Sequence, residues 1–295
     1  MIKGILLAIS AGICWGLSGV AGECLMKSGD ITSEWLVPVR LISAGIILMI
    51  YQIFRLKKHI FDVFKRKKDV FDLIVYALLG IMMCQYTYFF TIERSNAGTA
   101  TVLQYISPVI VMIIACINQK RLPNRVESIC LIMSLGGVFL LATHGNFDTL
   151  AISPSALVSG LASAVTVVIY TLVPVNLLKK YSPLYLLSWA FIIGGCALGF
   201  VFRVWENIPV LNIEKVLLIS VTSVVGSIFG YGLYLAGLRL IGSTRACLVG
   251  SMEPVSAAVF SWLFMGTYFS AIDIIGFALI ISTVILLTVD KNSVA

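Results

Sequence analysis

The chain has 295 residues, of which 59% are hydrophobic and only 12% are charged, and its mean hydropathy is +1.02. Ten stretches of roughly twenty apolar residues account for nearly all of it. This pattern excludes a soluble globular protein, because about 20 apolar residues of helix cross a bilayer core about 30 Å thick. The alternating segments that a membrane β-barrel needs are missing from the sequence, so the predicted fold class is an all-α membrane protein.

The predicted transmembrane helices follow the apolar stretches in chain order. The first begins after a lone Lys3 and is interpreted as a helix rather than a secretory signal, because Trp15, several glycines and Glu23 interrupt it. The ten predicted spans are 4–26, 36–54, 72–92, 97–118, 126–143, 153–176, 183–202, 214–238, 244–265 and 272–289.

The positions of lysine and arginine predict how these spans are oriented. If the N-terminus is cytoplasmic, 16 of the 21 basic residues lie on the inner side. We therefore expect both termini in the cytoplasm and a multi-pass location in the plasma membrane, the cytoplasmic membrane of a bacterium. Much of the net charge of +7 comes from the loop 55–69. We interpret this loop as an anchor against anionic lipid and not as a nucleic-acid-binding surface.

Several kinds of chemistry are excluded by what the sequence lacks. Its seven cysteines are never paired as CxxC and it has only two histidines, so neither a metal site nor a disulfide framework is expected. It has no G-x-x-x-x-G-K-[ST] phosphate loop and no soluble stretch long enough for a nucleotide-binding domain. No set of nucleophile, base and acid converges on one helix face. We therefore predict no enzyme activity, no cofactor and no metal.

An internal repeat divides the chain into two halves, 1–146 and 147–295. When residues 77–142 are placed on 223–288, Tyr88 falls on Tyr234 and Pro108 falls on Pro254. Each half has five spans, and because five is an odd number the second half must insert upside down relative to the first. Inverted repeats of this kind occur in secondary transporters, with the substrate site near the middle of the membrane between the repeats.

Three segments of the sequence resemble a known family. They are WGLSGVAGECLMKSGDITSEWLVPVRLISAG near the start, SNAGTATVLQYISPVIVMI in the fourth span and STRACLVGSMEPVSAAVFSWLF in the ninth. They are similar to the ten-span EamA-type members of the drug/metabolite transporter superfamily. The resemblance implies two inverted five-helix repeats that move a small metabolite, usually outward. The chain departs from the family at Gln119-Lys120 and Gly266-Thr267, where a Gly-Glu pair is common.

Glu23 is the first candidate site residue, because a charge inside the bilayer is costly and tends to persist only with a partner or a task. It lies on the same helix face as a stripe of glycines in the first span, so it is predicted to face the packed interior. Two interpretations stay open. Glu23 either forms a salt bridge with Arg40 or Lys27, or binds a substrate amine or a proton.

Glu253 is the second candidate and lies deeper, directly before Pro254. Proline removes a backbone donor and frees carbonyl groups beside the carboxylate. Pro108, with Gln104 and Ser107, marks the corresponding place in the fourth span. Two helices broken by proline at corresponding positions predict a central binding site. The alternative is that each proline only kinks a packed helix.

Aromatic and hydroxyl side chains complete the predicted lining. Tyr88 and Tyr234 are candidates for stacking against a substrate, and Tyr170 and Ser227 for polar contacts. Gln104 is the candidate for orienting a polar group of the substrate. For each of these residues ordinary helix packing is the alternative.

The predicted function is secondary transport by alternating access: export of a small metabolite, with amino acids or related amines favoured, either proton-coupled or downhill. The predicted partners are a small-molecule substrate, the lipid bilayer and protons, but no nucleic acid. The alternative is a non-transporting membrane sensor or scaffold that acts through the basic loop 55–69. GxxxG spacings in three spans are predicted to be helix contacts within a monomer, with a homodimer as the alternative.

Overall fold

The computed structural model describes residues 1–118, 120–143, 153–250, 252–266 and 270–289. These residues form helices and short connections, with no β-strand among them, so the predicted all-α class is confirmed for this part of the chain. The predicted boundary at 146–147, the departures from the family pattern at Gln119 and Thr267, and residues 290–295 lie outside the described residues.

The helices are numbered here in chain order, and one short 3₁₀ segment, Lys57–Lys65, separates α2 from α3. Their bounds are α1 Ile2–Lys27, α2 Ser33–Leu56, α3 Lys67–Arg94, α4 Ala97–Gln104, α5 Ser107–Asn118, α6 Arg125–Thr143, α7 Pro154–Leu178, α8 Pro183–Phe202, α9 Ile213–Ile241, α10 Ser243–Val249, α11 Met252–Met265 and α12 Ala271–Val289.

Several helix starts follow directly from the local sequence. Ser153 and Ser182 each accept a hydrogen bond from a backbone N–H of the first turn, and a proline follows each serine. Asn212 does the same at the start of α9. A serine or asparagine cap satisfies a free N–H, while proline needs no donor at the first helical position. These three helices therefore begin within one or two residues of the predicted spans.

Seven helices are long and apolar enough to cross a membrane. The count applies to the described residues, and the predicted total of ten spans stays a prediction. The seven are Ile2–Lys27, Ser33–Leu56, Lys67–Arg94, Pro154–Leu178, Pro183–Phe202, Ile213–Ile241 and Ser243–Met265. Each overlaps a predicted span, so these parts of the prediction are confirmed as helices. The second helix begins at Ser33 instead of at residue 36, which places Arg40 about two turns inside it.

Both predicted helix breaks are present. The predicted fourth span is divided between α4 and α5 at residues 105–106, and in the predicted ninth span α10 ends at Val249 and α11 begins at Met252. Pro108 and Pro254 each lie in the first turn of the helix that follows the break, where a missing N–H costs little. The breaks place Ser107 and Glu253 in equivalent first turns.

Each half also contains a π-helical stretch, at Tyr76–Met82 in α3 and at Val221–Tyr231 in α9. The two stretches overlap when the halves are aligned as in the internal repeat. A π-helix widens the backbone and often occurs at functional sites. In α9 the stretch brings Gly226 and Ser227 against α1 and α2.

The glycine stripe of α1 packs against α11, as its predicted interior orientation requires. A Cβ added to Gly12 would lie 2.9 Å from the carbonyl oxygen of Gly250, and one added to Gly16 would lie 2.6 Å from the backbone nitrogen of Ala257. The hydroxyl of Ser256 donates a hydrogen bond of 3.0 Å to the carbonyl oxygen of Gly12. This close approach places the start of α11, and therefore Glu253, beside the middle of α1.

Candidate functional site

A small cavity lies among the helices where α1, α2, α3 and α11 meet. A second small cavity shares four of its lining residues. The first is lined by Trp15, Ser18, Arg40, Cys84, Gln85, Tyr88, Phe89, Gln104, Tyr170, Tyr231 and Glu253. The second is lined by Trp15, Gln104, Tyr105, Ser107, Val167, Tyr170, Tyr234, Cys247, Gly250 and Glu253.

Glu253 lines both cavities and is 6% exposed. Its backbone N–H donates to the carbonyl oxygen of Gly250 at 3.0 Å, across the break before α11. The hydroxyl of Tyr88 lies beside its carboxyl group and also lies 3.0 Å from the hydroxyl of Thr101. No ion pair found in the described part of the chain includes Glu253. No cation of the described residues therefore forms an ion pair with this carboxyl group.

Arg40 lines the first cavity from the side of α2 and is 1% exposed. Its Nε–H donates to the hydroxyl of Ser227 at 3.2 Å, and its Nη2 donates to the hydroxyl of Ser18 at 3.1 Å and to the carbonyl oxygen of Thr222 at 2.8 Å. The guanidinium carbon lies 4.4 Å from the centre of the Phe89 ring, a cation–π contact. Its other terminal nitrogen, Nη1, is buried without a hydrogen-bond partner.

Aromatic rings separate the two cavities. The ring of Trp15 lies 5.1 Å from the rings of Tyr231 and Tyr234 and 6.3 Å from that of Tyr170. The hydroxyl of Tyr234 is hydrogen-bonded to that of Thr171 at 2.9 Å. Packed aromatic rings of this kind give a ligand flat apolar surfaces and few polar contacts.

Gln104 stands at the end of α4, beside the break. Its side-chain nitrogen donates a hydrogen bond of 2.5 Å to the hydroxyl of Ser163 on α7, and it approaches the sulfur of Cys84 at 3.6 Å. These contacts fix the amide, which lines both cavities. The position agrees with the predicted role of orienting a polar group, a role that stays a prediction.

Glu23 lies apart from the residues that line the two cavities. Its carboxylate accepts a hydrogen bond of 3.0 Å from the backbone N–H of Ala97, at the start of α4, and forms an ion pair of 3.1 Å with Lys27. The suggested pairing with Arg40 is therefore wrong and the suggested pairing with Lys27 is correct. Arg40 is two turns inside α2, and its guanidinium binds α1 and α9 at Ser18, Ser227 and Thr222 instead.

Six of the predicted site residues line the cavities: Tyr88, Gln104, Ser107, Tyr170, Tyr234 and Glu253. Ser227 does not line them but accepts hydrogen bonds from Arg40. Sequence reasoning missed Arg40, Trp15 and Gln85 as site residues. A signal for Arg40 was available, because an arginine within an apolar helix of 24 residues is costly unless it is used.

The basic loop is a folded segment attached to α8. The hydroxyl of Tyr185 accepts a hydrogen bond from the backbone N–H of Val63 at 3.1 Å and donates to the carbonyl oxygen of Ile60 at 2.7 Å. Nearby, the hydroxyl of Tyr181 donates to Asp69 at 2.9 Å. Burial, together with this hydrogen bond to the carboxylate, raises the pKa of Tyr181 to about 12.

The fold and the cavities define an all-helical, multi-pass membrane protein with a small polar site buried among its helices. The profile of the EamA-like transporter family matches residues 2–143 and 154–289, which is nearly the whole chain. The chain therefore belongs to this family, within the drug/metabolite transporter superfamily, and is a membrane transporter. The predicted resemblance and the multi-pass membrane location are both confirmed.

Two relatives and one solved structure show how far the similarity extends. The chain is 35% identical to the uncharacterized inner membrane transporter YicL of Salmonella typhimurium, over 98% of this chain and 96% of that protein. It is 23% identical to a WAT1-related chloroplastic protein of Arabidopsis thaliana, over 97% of this chain and 69% of that one. A crystal structure with 14% identity superposes with a TM-score of 0.75, over 98% of this chain and 97% of that chain, and shows the same fold.

Proposed function

We propose that the protein is a secondary exporter of a small amphiphilic metabolite, with amino acids or related amines as the favoured class. The observation that carries the proposal is that a buried carboxyl group, Glu253, and a buried guanidinium, Arg40, line one cavity without forming an ion pair with each other. A buried carboxyl group and a buried guanidinium that do not pair with each other each need another partner, and one ligand molecule can supply a partner to both.

Alternating access is the mechanism that the helix arrangement supports. The two family matches, 2–143 and 154–289, agree with a repeat of two halves, and the cavity is lined from both halves. The starts of α5 and α11 lie beside the cavities, because Ser107 and Glu253 in their first turns are lining residues. The two halves would rock around the cavity and open it to one side of the membrane at a time. The inverted orientation and the outward direction belong to the proposal.

Proton exchange at Glu253 is a further part of the proposal. The hydroxyl of Thr101 donates to the carbonyl oxygen of Ala97 at 2.6 Å, so the hydroxyl of Tyr88 is the donor in the bond of 3.0 Å to Thr101. Glu253 is buried beside the same hydroxyl, and a carboxyl group buried without a cation next to it can take up a proton. A substrate ammonium that replaces this proton would couple export of substrate to uptake of a proton.

The test is transport by purified protein in liposomes, with Glu253→Gln as the variant and Glu214→Gln as the matched control. Glu214 is exposed at the start of α9, so its replacement should leave flux unchanged. Glutamine keeps the size of Glu253 and its capacity to form hydrogen bonds but cannot release a proton. We expect saturable flux in the wild type and a flux in Glu253→Gln that no longer responds to a pH gradient.

Two results would count against the proposal. Wild-type flux and pH response in Glu253→Gln would remove this residue from the mechanism. The absence of saturable flux for every amino acid and amine would remove transport of this substrate class. It would favour the alternative, a sensor or scaffold that acts through the basic loop 55–69.

A further inference from the structure

Three unpaired N–H donors occur on side chains that line the first cavity. They are Nη1 of Arg40, Nε1 of Trp15 and Nε2 of Gln85, and all three atoms are buried without a hydrogen-bond partner. Buried donors are nearly always paired in folded proteins, so three of them around one cavity need an explanation. Because all three are donors, the missing partner is an acceptor.

The three donors come from three different helices, and hydrogen bonds hold the guanidinium of Arg40 in place. Trp15 lies on α1, Arg40 on α2 and Gln85 on α3. The contacts that Arg40 makes through Nε and Nη2 fix its guanidinium plane and leave the two N–H groups of Nη1 unused. An arginine is charged at every physiological pH, so the acceptor that suits this arrangement best is an anion.

We propose that Arg40, Trp15 and Gln85 form the carboxylate-binding subsite of this cavity, and that the substrate is a zwitterion whose ammonium group meets Glu253. The inference rests on the proposed function and makes it narrower: a substrate needs both an anionic and a cationic group. Simple amines, which the proposed function allows, would leave the three donors unpaired.

The charge balance of the lining favours a monocarboxylate over a phosphate. Among the described residues that line the two cavities, Arg40 and Glu253 are the only arginine, lysine, aspartate or glutamate side chains. A zwitterion would neutralise each of them and add no net charge. A phosphate dianion would bring an extra charge into a buried site with no second cation to match it.

Binding is tested first on the wild-type protein with chemically matched probes. The melting temperature of the purified protein is measured with each of the twenty L-amino acids. For any amino acid that stabilises the protein, the melting temperature is then measured with its decarboxylated amine and with its methyl ester. We expect the amine and the ester to bind about ten- to hundredfold more weakly, the loss expected for a hydrogen bond to a charged group. Equal binding of amine and amino acid, or no stabilisation by any amino acid, overturns the inference.

A second experiment tests whether Arg40 and Trp15 form the subsite. It compares the variants Arg40→Lys and Trp15→Phe with the control variant Arg203→Lys. Arg203 is exposed, at the end of α8. The measured quantity is the ratio of the affinity for the amino acid to that for its amine. We expect the ratio to fall at least tenfold in Arg40→Lys and severalfold in Trp15→Phe, which keeps an aromatic ring but loses the N–H. An Arg40 that only stabilises the fold would lower the melting temperature and leave this ratio unchanged.

The same probes in liposomes separate this inference from the proposed function. Saturable flux of an amine that is equal in the wild type and in Trp15→Phe would overturn the carboxylate subsite but leave transport standing. A lack of saturable flux for all probes would overturn transport itself. Saturable flux of an amino acid, together with no saturable flux of its amine, would support both the carboxylate subsite and transport.

Discussion

Replacing Gly16 by alanine should push α1 away from α11 and lower the stability of the protein. A Cβ at this position would lie 2.6 Å from the backbone nitrogen of Ala257 and 3.0 Å from the carbonyl oxygen of Glu253. The first distance is 0.8 Å short of the 3.4 Å at which ordinary contact begins. The hydroxyl oxygen of Ser256 also obstructs the methyl group and could rotate away, but these two backbone atoms cannot, so the helices must separate.

The expected cost follows from two opposing terms. Overpacking of a close interface costs about 1–3 kcal/mol, and the upper end applies because backbone atoms obstruct the methyl group. Alanine is the better helix former and recovers about 1 kcal/mol. We therefore expect Gly16→Ala to lower the free energy of unfolding by about 2 kcal/mol. Because Glu253 lies at the obstructed contact, saturable flux should fall as well.

The assay is equilibrium unfolding in mixed micelles, with Gly136→Ala as the control. A Cβ added to Gly136 in α6 would meet no atom within 4 Å, so this variant should show only the gain in helix propensity. The reasoning would be refuted if Gly16→Ala were as stable as the wild type, or if the two variants shifted the unfolding free energy equally.

Three further predictions concern orientation, ion pairing and pH. A cysteine introduced at the exposed His59 of a cysteine-free variant should react with an impermeant reagent only in permeabilised cells; labelling of intact cells would reverse the orientation. Glu23→Gln and Arg40→Gln should each lower the free energy of unfolding, and the loss in the double variant should equal the sum of the two single losses within about 0.5 kcal/mol, because the two side chains have different partners. A larger difference would indicate that Glu23 and Arg40 interact directly. The raised pKa of Tyr181, from 10.0 to about 12, means that its neutral form stabilises the fold below pH 10 and that this contribution disappears between pH 10 and pH 12. Tyr181→Phe should therefore lose less stability over that range than the wild type, and an identical loss would show that burial and the hydrogen bond to Asp69 do not raise the pKa of Tyr181 in the folded protein.

Composition and local pattern were sufficient for the class of protein and for much of the cavity lining. Long apolar runs specify helices in a bilayer because the backbone must satisfy its own hydrogen bonds there. Proline and glycine act on the backbone within one turn, so the breaks near Pro108 and Pro254 could be predicted from the sequence. The predicted breaks in turn indicated that the residues beside them, Gln104, Ser107 and Glu253, lie at a central site. All three line the cavities.

The tertiary structure decided which charged groups meet. Sequence spacing suggested Arg40 as a partner of Glu23, but a pairing between helices depends on their depth and rotation. The start of α2 at Ser33 and the close approach of Gly226 on α9 place the guanidinium against Ser18 and Ser227 instead. Glu23 therefore forms its ion pair with Lys27 and accepts a hydrogen bond at the start of α4. Arg40 instead lines the cavity that Glu253 also lines. Helix packing sets these distances through contacts between residues far apart in the chain, and no local pattern in the sequence encodes them.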